Sequence, residues 1–224
     1  MRGKLIVIEG TDCSGKETQS KLLIKKLKKD GINIMYFSFP VYDSPTGKII
    51  GGPYLGKKHI CEGWFPEGAA NVDAKVSSLY FAADRRYHAD YINEQLDKGI
   101  NIILDRSSFS NFGHQGGKIG DKQERRAMYD WLYRLEFEML EIPKMDIGVF
   151  IHMPYEQSLI LKSYRKEEMD QHEQDKDHLL NAELAYMEIA ELYDFKTIKC
   201  TENRVLKKVK DINNEIYEFV KGKL

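Results

Sequence analysis

The most constraining feature of this 224-residue chain is a glycine-rich turn between an apolar run and a helical one. Residues 4–9 (KLIVIE) precede Gly10, and Gly15 and Lys16 follow with the spacing GxxxxGK. Glycines let backbone N–H groups converge on phosphate oxygens. The start of the next helix adds partial positive charge. The sequence therefore predicts a phosphate-binding loop, in which Lys16 supplies a full charge to the β- and γ-phosphates of a nucleotide.

Apolar runs alternate with helical patterns along the rest of the chain, and this alternation predicts the fold class. The runs are rich in Ile, Val, Phe and Tyr without strict polar alternation, which is typical of a parallel sheet covered on both faces. We expect an α/β fold, a doubly wound five-stranded parallel sheet flanked by helices, in a single domain of residues 1–224. Strands are predicted at 4–9, 33–39, 100–105, 146–152 and 195–200, and helices at 16–29, 72–96, 121–140, 155–166, 178–193 and 204–220. Residues 40–70 are irregular and too long for a simple loop, so a functional role is plausible.

Composition excludes several classes of protein. Hydrophobic residues make up 42% and charged residues 31%, so the chain is neither disordered nor membranous, and it has no run of about 18 apolar residues. A net charge of -1 does not favour nucleic-acid binding. Cys13, Cys61 and Cys200 form no CxxC pair, which indicates a reduced, cytoplasmic setting.

The loop departs from the usual motif at the residue after the lysine. Ser or Thr usually stands there to bind Mg²⁺, but here Glu17 is followed by Thr18. A carboxylate is a hard oxygen donor for Mg²⁺, although it adds negative charge beside the triphosphate. Whether Glu17, Thr18 or a water fills that role stays open. The loop alone indicates ATP or GTP. The predicted nucleotide-binding residues, assigned to ATP below, are Gly10, Thr11, Asp12, Cys13, Ser14, Gly15, Lys16, Glu17 and Thr18.

A second motif, Asp105-Arg106, ends the predicted strand at 100–105. Ligands of open α/β sheets bind beyond the carboxyl ends of the strands. Asp105 is therefore a candidate for holding Mg²⁺, directly or through water. Arg106 is a candidate phosphate clamp, because guanidinium can donate two parallel hydrogen bonds. An ordinary strand-end ion pair is the alternative.

The chain resembles the thymidylate kinase family from about residue 4 to residue 200. The likeness rests on the joint spacing of residues 9–12 (EGTD), Phe39-Pro40, residues 80–85 (YFAADR), Asp105-Arg106 and residues 110–117 (SNFGHQGG). It implies a P-loop nucleoside monophosphate kinase that uses ATP and Mg²⁺ to phosphorylate dTMP. It also implies a homodimer packed through long helices, for which 72–96 is a candidate face.

The resemblance implies roles at matched positions. Phe81 would stack on thymine, and Arg85 would contact the base or its phosphate. Arg106 would bind the acceptor phosphate, and Asp12 would contact the 3′-hydroxyl or orient an arginine. The implied acceptor-binding residues are Asp12, Phe39, Pro40, Phe81, Arg85, Arg106, Ser110, Asn111, His114 and Gln115.

Two departures from the family concern positive charge. Relatives often carry an arginine soon after Phe-Pro, where Val41 and Tyr42 stand here, so Lys48 is a possible replacement. The family places an additional catalytic cation in the phosphate loop or in a lid. Cys13 occupies the loop position, so we expect the cation in a lid at about 162–178, with Arg165 the best candidate ahead of Lys162 and Lys166. The predicted catalytic residues are Asp12, Lys16, Asp105, Arg106 and Arg165.

The predicted function is ATP-dependent phosphorylation of dTMP to dTDP in dTTP synthesis. A kinase for another nucleoside or monophosphate on the same fold is the nearest alternative. A P-loop ATPase that switches a protein partner is a more distant one. The expected partners are ATP and dTMP, without nucleic acid or membrane.

Overall fold

The computed structural model describes residues 1–11, 13–163 and 176–224, with the backbone alone for 162 and 163. Its main sheet has five strands in the order β2-β3-β1-β4-β5, and every neighbouring pair is parallel. The strands are β1 (Leu5–Gly10), β2 (Ile34–Ser38), β3 (Asn101–Asp105), β4 (Ile147–His152) and β5 (Lys196–Lys199). The predicted fold class and all five predicted strands are confirmed.

Helices cover both faces of this sheet. A π-helical turn at Ile50–Tyr54 continues α2, and another at Arg134–Met139 continues α5. No helix in the described ranges is long and apolar enough to cross a membrane. The helices are α1 (Lys16–Lys29), α2 (Pro45–Ile49), α3 (Ala74–Asp97), α4 (Ser108–Gly116), α5 (Lys122–Tyr133), α6 (Tyr155–Ser163), α7 (Lys176–Leu192) and α8 (Val209–Lys221).

The sheet is buried on both faces, as its continuous apolar strands require. Alternate β1 side chains enter different clusters. Leu5 and Val7 pack with the aromatic rings beneath α4 and α7, while Ile6 and Ile8 pack against α1 and α8. Each such side chain removed from water stabilises the fold by about 1.5–3 kcal/mol. A third cluster joins the 42–73 segment, through Tyr54, to α3.

The structure departs from the helix predictions in three places. Helix α2 lies in the 40–70 segment that was predicted to be irregular. The helix predicted at 204–220 begins only at Val209, because Val205–Leu206 (β7) pairs with Thr201–Glu202 (β6) in an antiparallel hairpin. Asn203 and Arg204 both have positive φ, as a two-residue hairpin turn requires and a helix does not allow. Helix α4 was not predicted. Ser107 caps it by accepting a hydrogen bond from the Phe109 N–H at 3.1 Å.

Candidate active site

A cleft of about 580 Å³, partly open to solvent, lies at the carboxyl edge of the sheet. Residues from the end of β2, from α3, from the end of β3 and from α4 form its walls. The structure therefore brings together every predicted acceptor-binding residue except Asp12, which lies outside the described residues. Sequence reasoning missed Tyr42, Leu55 and Asp84. The full lining is Phe39, Pro40, Tyr42, Leu55, Phe81, Asp84, Arg85, Arg106, Ser110, Asn111, His114 and Gln115.

The phosphate loop follows β1 and ends where α1 begins. Gly15 caps α1 with φ 82°, a left-handed conformation that glycine adopts without strain. A Cβ on Gly10 would lie 2.6 Å from the carbonyl oxygen of Ile151, so the loop backbone must pass close to β4. The Lys16 ammonium is buried and donates to the carbonyl oxygens of Gly10 at 2.8 Å and Thr11 at 2.7 Å. These contacts hold the charge of Lys16 inside the loop.

Glu9, the residue before the loop, links it to α4. Its carboxylate accepts hydrogen bonds from the Ser107 N–H at 2.7 Å and the Ser110 hydroxyl at 2.9 Å, and it is only 1% exposed. Burial raises the pKa of Glu9, while the bond from Ser107 and the positive charges of Arg106 and Lys16 oppose that rise. The acidic residue of the EGTD block was the available signal, but sequence reasoning assigned it no role.

Asp105 and Arg106 lie where the motif predicted, at the carboxyl end of β3. The Asp105 carboxylate accepts a hydrogen bond from the Tyr36 hydroxyl at 2.9 Å. Burial, then the negative charge of Asp105, raises the pKa of Tyr36, so this hydroxyl stays a donor at neutral pH. Arg106 has φ 65°, and its Nη1 lies 3.3 Å from His114 Nε2. His114 in turn stacks on His178 of α7, with ring centroids 5.5 Å apart.

Arg85 is held by a residue that no sequence pattern indicated. Its Nε and Nη2 each lie 2.6 Å from a carboxylate oxygen of Glu136, in a bidentate pair. Asn111 donates to the same carboxylate at 2.7 Å. Glu136 belongs to the π-helical turn after α5, and such turns are frequent at functional sites. The pair compensates the buried charge of Arg85, and Nη1 makes no hydrogen bond to the described residues.

Two further polar residues shape the cleft. Asp84 is buried and accepts from the Val41 N–H at 3.0 Å and the Thr46 hydroxyl at 2.6 Å, which fixes the start of the 42–73 segment against α3. Gln115 is fully buried, yet neither its amide oxygen nor its amide nitrogen has a partner among the described residues. Buried polar atoms are normally paired. The Gln115 amide therefore offers both a donor and an acceptor to a ligand in the cleft.

The residues proposed for Mg²⁺ have the right chemistry for it. Glu17 and Thr18 are exposed at the start of α1, and Glu17 pairs with Lys21. The pKa of Lys21 is raised, first by its hydrogen bond to Glu17 and further by the charge of Asp105. Both carboxylates therefore act on one region. No group of three His, Cys, Asp or Glu among the described residues could hold a metal by itself. Mg²⁺ at nucleotide sites takes most ligands from phosphates and water, so one or two carboxylates fit it.

Some predicted residues are not placed in the cleft. Asp12, Arg165 and Lys166 lie outside the described residues, and of Lys162 only the backbone is described. Lys48 is exposed at the end of α2 and does not line the cleft, whereas Tyr42 does.

Comparison with known proteins agrees with this geometry. The family model described as "Thymidylate kinase" matches residues 8–216, which include the phosphate loop, the cleft and α7. The chain belongs to the thymidylate kinase family. In such α/β folds, ligands bind beyond the carboxyl ends of the strands, where both the phosphate loop and the cleft lie.

Thymidylate kinases from distant organisms resemble the chain over much of its length. That of Schizosaccharomyces pombe is 28% identical over 220 residues, which are 98% of this chain and 92% of the relative. The human thymidylate kinase is 30% identical over 152 residues, 68% of this chain and 62% of the relative. Among solved structures, a thymidylate kinase from Candida albicans aligns with 99% of this chain and 92% of its own, with a TM-score of 0.74 and 24% identity. That structural likeness concerns the fold.

Proposed function

We propose that this member of the thymidylate kinase family transfers the γ-phosphoryl group of ATP to the 5′-phosphate of dTMP, forming dTDP for dTTP synthesis. The observation that carries the proposal is the juxtaposition of a phosphate loop with a cleft whose walls offer an aromatic ring, an unpartnered amide and an arginine. The first two suit a nucleobase, and Arg106 at the loop side suits its phosphate.

Phe81 is proposed as the stacking surface for thymine, with Phe39 and Pro40 beside the methyl group. The Gln115 amide would pair with the hydrogen-bonding edge of the base. Arg85 is proposed to contact the base and not the phosphate, because Glu136 already compensates its charge. Its Nη1 would donate to the O4 carbonyl of thymine. Cytosine carries an amino donor in place of this carbonyl, so the contact favours thymine.

Transfer requires mainly positioning and charge neutralisation. The acceptor phosphate is anionic at neutral pH, so no strong general base is needed. Lys16 is proposed to neutralise the β- and γ-phosphates, and Arg106 the acceptor phosphate. Mg²⁺, held beside Asp105 and Glu17 or Thr18, would neutralise charge on the triphosphate when bound. Glu9 would keep Arg106 and Lys16 oriented through its electrostatic attraction to both. Asp12 and Arg165 remain proposals for the sugar contact and the additional lid cation.

The decisive experiment is an acceptor panel. The purified chain, with ATP and Mg²⁺, is given dTMP, dUMP, dCMP, AMP or thymidine. The phosphorylated product is measured, which is a diphosphate from each monophosphate and a monophosphate from thymidine. We expect dTMP to have the highest kcat/KM. A higher kcat/KM for another acceptor would assign a different kinase activity. ATP hydrolysis at one rate with every acceptor and with none would indicate an ATPase switch.

We also propose a homodimer packed through α3. Val76, Leu79, Ala83, Tyr87 and Tyr91 recur every three or four residues and form one exposed stripe, with Leu79 50% and Tyr87 58% exposed. The family resemblance favours a second copy of the chain as the partner that covers this stripe. Sedimentation velocity should show a dimer that Leu79→Glu converts to monomer. Leu184→Glu on α7, where the leucine is 61% exposed, should leave the dimer intact. A wild-type monomer would contradict the proposal.

We further propose that all 224 residues form one kinase domain, with a phosphate loop at 10–18, an acceptor region at about 39–117 and a lid at about 162–178. A cytoplasmic location is proposed because Cys13, Cys61 and Cys200 are free thiols.

A further inference from the structure

Lys118, just beyond the end of α4, points its ammonium at the junction between the 42–73 segment and α3. Its Nζ donates to the carbonyl oxygens of Val72 at 2.7 Å and Ala69 at 3.2 Å, and to the Ser77 hydroxyl at 3.2 Å. An ammonium has three N–H donors, so these contacts match its full capacity. The first two acceptors belong to the 42–73 segment and the third to α3.

The same acceptors connect Lys118 to the surface proposed for the base. The Tyr54 hydroxyl also lies 2.9 Å from the Ala69 carbonyl oxygen and from the Ser77 hydroxyl. The Tyr54 ring meets Phe81 edge to face, with centroids 5.5 Å apart and planes at 87°. A shift of Ala69 or Ser77 would therefore move Tyr54 and, through it, Phe81.

At its other end, Lys118 is joined to the polar wall. Its backbone N–H donates to the carbonyl oxygen of Gln115 at 3.3 Å, and the side-chain amide of this same residue has no partner among the described residues. One residue, through its backbone and its side chain, thus ties together α4, which carries Gln115, the 42–73 segment, which carries Leu55, and α3, which carries Phe81.

We propose that Lys118 is a positioning residue for the nucleoside: its ammonium fixes the distance between the Phe81 ring and the Gln115 amide. This inference rests on the proposed function, since it assumes that a thymidylate base occupies the space between them. Lys118 itself contacts protein and not substrate.

The protonation state of Lys118 allows an experiment to distinguish a role in positioning the nucleoside from a role in stability alone. Burial lowers its pKa to about 8, and the negative charge of Asp73 opposes that shift. Asp73, the N-cap of α3, and the Tyr54 hydroxyl are the titratable groups that face this ammonium among the described residues. A neutral amine has two N–H donors, so above this pKa one of the three contacts is lost.

Affinity and stability should then respond to pH in opposite directions. The unfolded chain keeps the lysine proton to about pH 10.5, whereas the folded chain releases it near pH 8. The unfolded state binds more protons between these values, so the contribution of Lys118 to stability rises with pH. Its contribution to nucleoside binding should fall over the same range.

The test measures KM for dTMP, KM for ATP and kcat of the full chain from about pH 7 to about pH 9. For the wild type, we expect KM for dTMP to rise about five-fold across pH 8, as expected for losing one hydrogen bond, with KM for ATP and kcat unchanged. Lys118→Met should have the raised KM at every pH. Lys118→Arg, which stays charged, should keep the low KM throughout. Lys122→Met, at an exposed lysine on α5, is the control and should match the wild type.

The outcomes are separable. A wild-type chain that does not phosphorylate dTMP overturns the proposed function. An active wild type with an unchanged KM in Lys118→Met overturns the role of Lys118 alone. If Lys118→Met does not fold, the wild type is compared with Lys118→Arg. Parallel pH profiles of KM for dTMP would overturn the inference. A rise in this KM in the wild type alone would support it.

Discussion

Arg85 and Glu136 form a bidentate ion pair with both N–O distances at 2.6 Å, and their side chains are 2% and 0% exposed. The pair joins α3 to the π-helical turn after α5 across 51 positions of sequence. It places an arginine in the wall of the acceptor cleft without leaving a net charge there. This compensation supports our proposal that a neutral base occupies that part of the cleft and that Arg106 binds the phosphate.

Glu136→Gln should weaken both folding and acceptor binding. The variant leaves the Arg85 charge buried without its counter-charge, which typically costs about 3–5 kcal/mol. Urea unfolding should show this loss, and KM for dTMP should rise more than KM for ATP. Asp90→Asn, which breaks the exposed Arg86–Asp90 pair on α3, should cost far less, because solvent screens that pair. Equal losses in the two variants would contradict the role assigned to the buried pair.

Arg106→Ala and Lys16→Ala should lower kcat by about 10²–10³-fold. Each removes a positive charge that is proposed to neutralise the phosphates during transfer. Saturating-substrate kinetics measure this effect, and circular dichroism checks that the variants fold. Arg126→Ala changes an exposed arginine on α5 and should leave kcat unchanged. Wild-type turnover in either active-site variant would exclude the mechanism.

Glu9→Gln should change the pH dependence of stability. Because burial raises the pKa of Glu9 in the folded chain, the folded state binds more protons than the unfolded state above the ordinary glutamate value of 4.5. As pH rises from 4.5 to the raised pKa of the folded chain, the wild type therefore becomes less stable because of Glu9. Above the folded pKa, this loss of stability stays constant. Urea unfolding at several pH values should show this decline in the wild type and its absence in Glu9→Gln. The same variant should lower kcat, since Arg106 and Lys16 lose a counter-charge. Identical pH profiles would show that Glu9 does not titrate as argued.

Gly10→Ala should abolish ATP binding. Its Cβ would lie 2.6 Å from the Ile151 carbonyl oxygen, closer than real Cβ contacts allow, so the phosphate loop must move away from β4. Fluorescent-nucleotide titration measures the affinity. Gly120→Ala is the matched control, because no atom lies within 4 Å of its added Cβ. Retained nucleotide affinity in Gly10→Ala would show that the loop tolerates the shift.

The glycine-rich turn, the five strands and most of the residues that line the cleft were predicted from the sequence. These depend on local pattern: a glycine spacing after an apolar run, strand-end polar residues, and blocks whose joint spacing matched a known family. Parallel strands bring their carboxyl ends to one edge, so Gly10 and Asp105 were expected to meet once the strands were assigned.

Side-chain partners far apart in sequence were decided only by the tertiary structure. Glu136 carries no motif, and it meets Arg85 where the helix after α5 widens into a π-helical turn. Asp84 and Lys118 appear in sequence as ordinary charged residues of helical or glycine-rich segments. In the folded chain, Asp84 pairs with the Val41 N–H and Lys118 with the Val72 carbonyl oxygen. The sequence by itself determined the five strands of the main sheet and most of its helices, while α2, α4 and the β6–β7 hairpin emerged only in the structure. Packing determined which buried charges compensate one another, because unpaired charge is tolerated in water and costly in the interior.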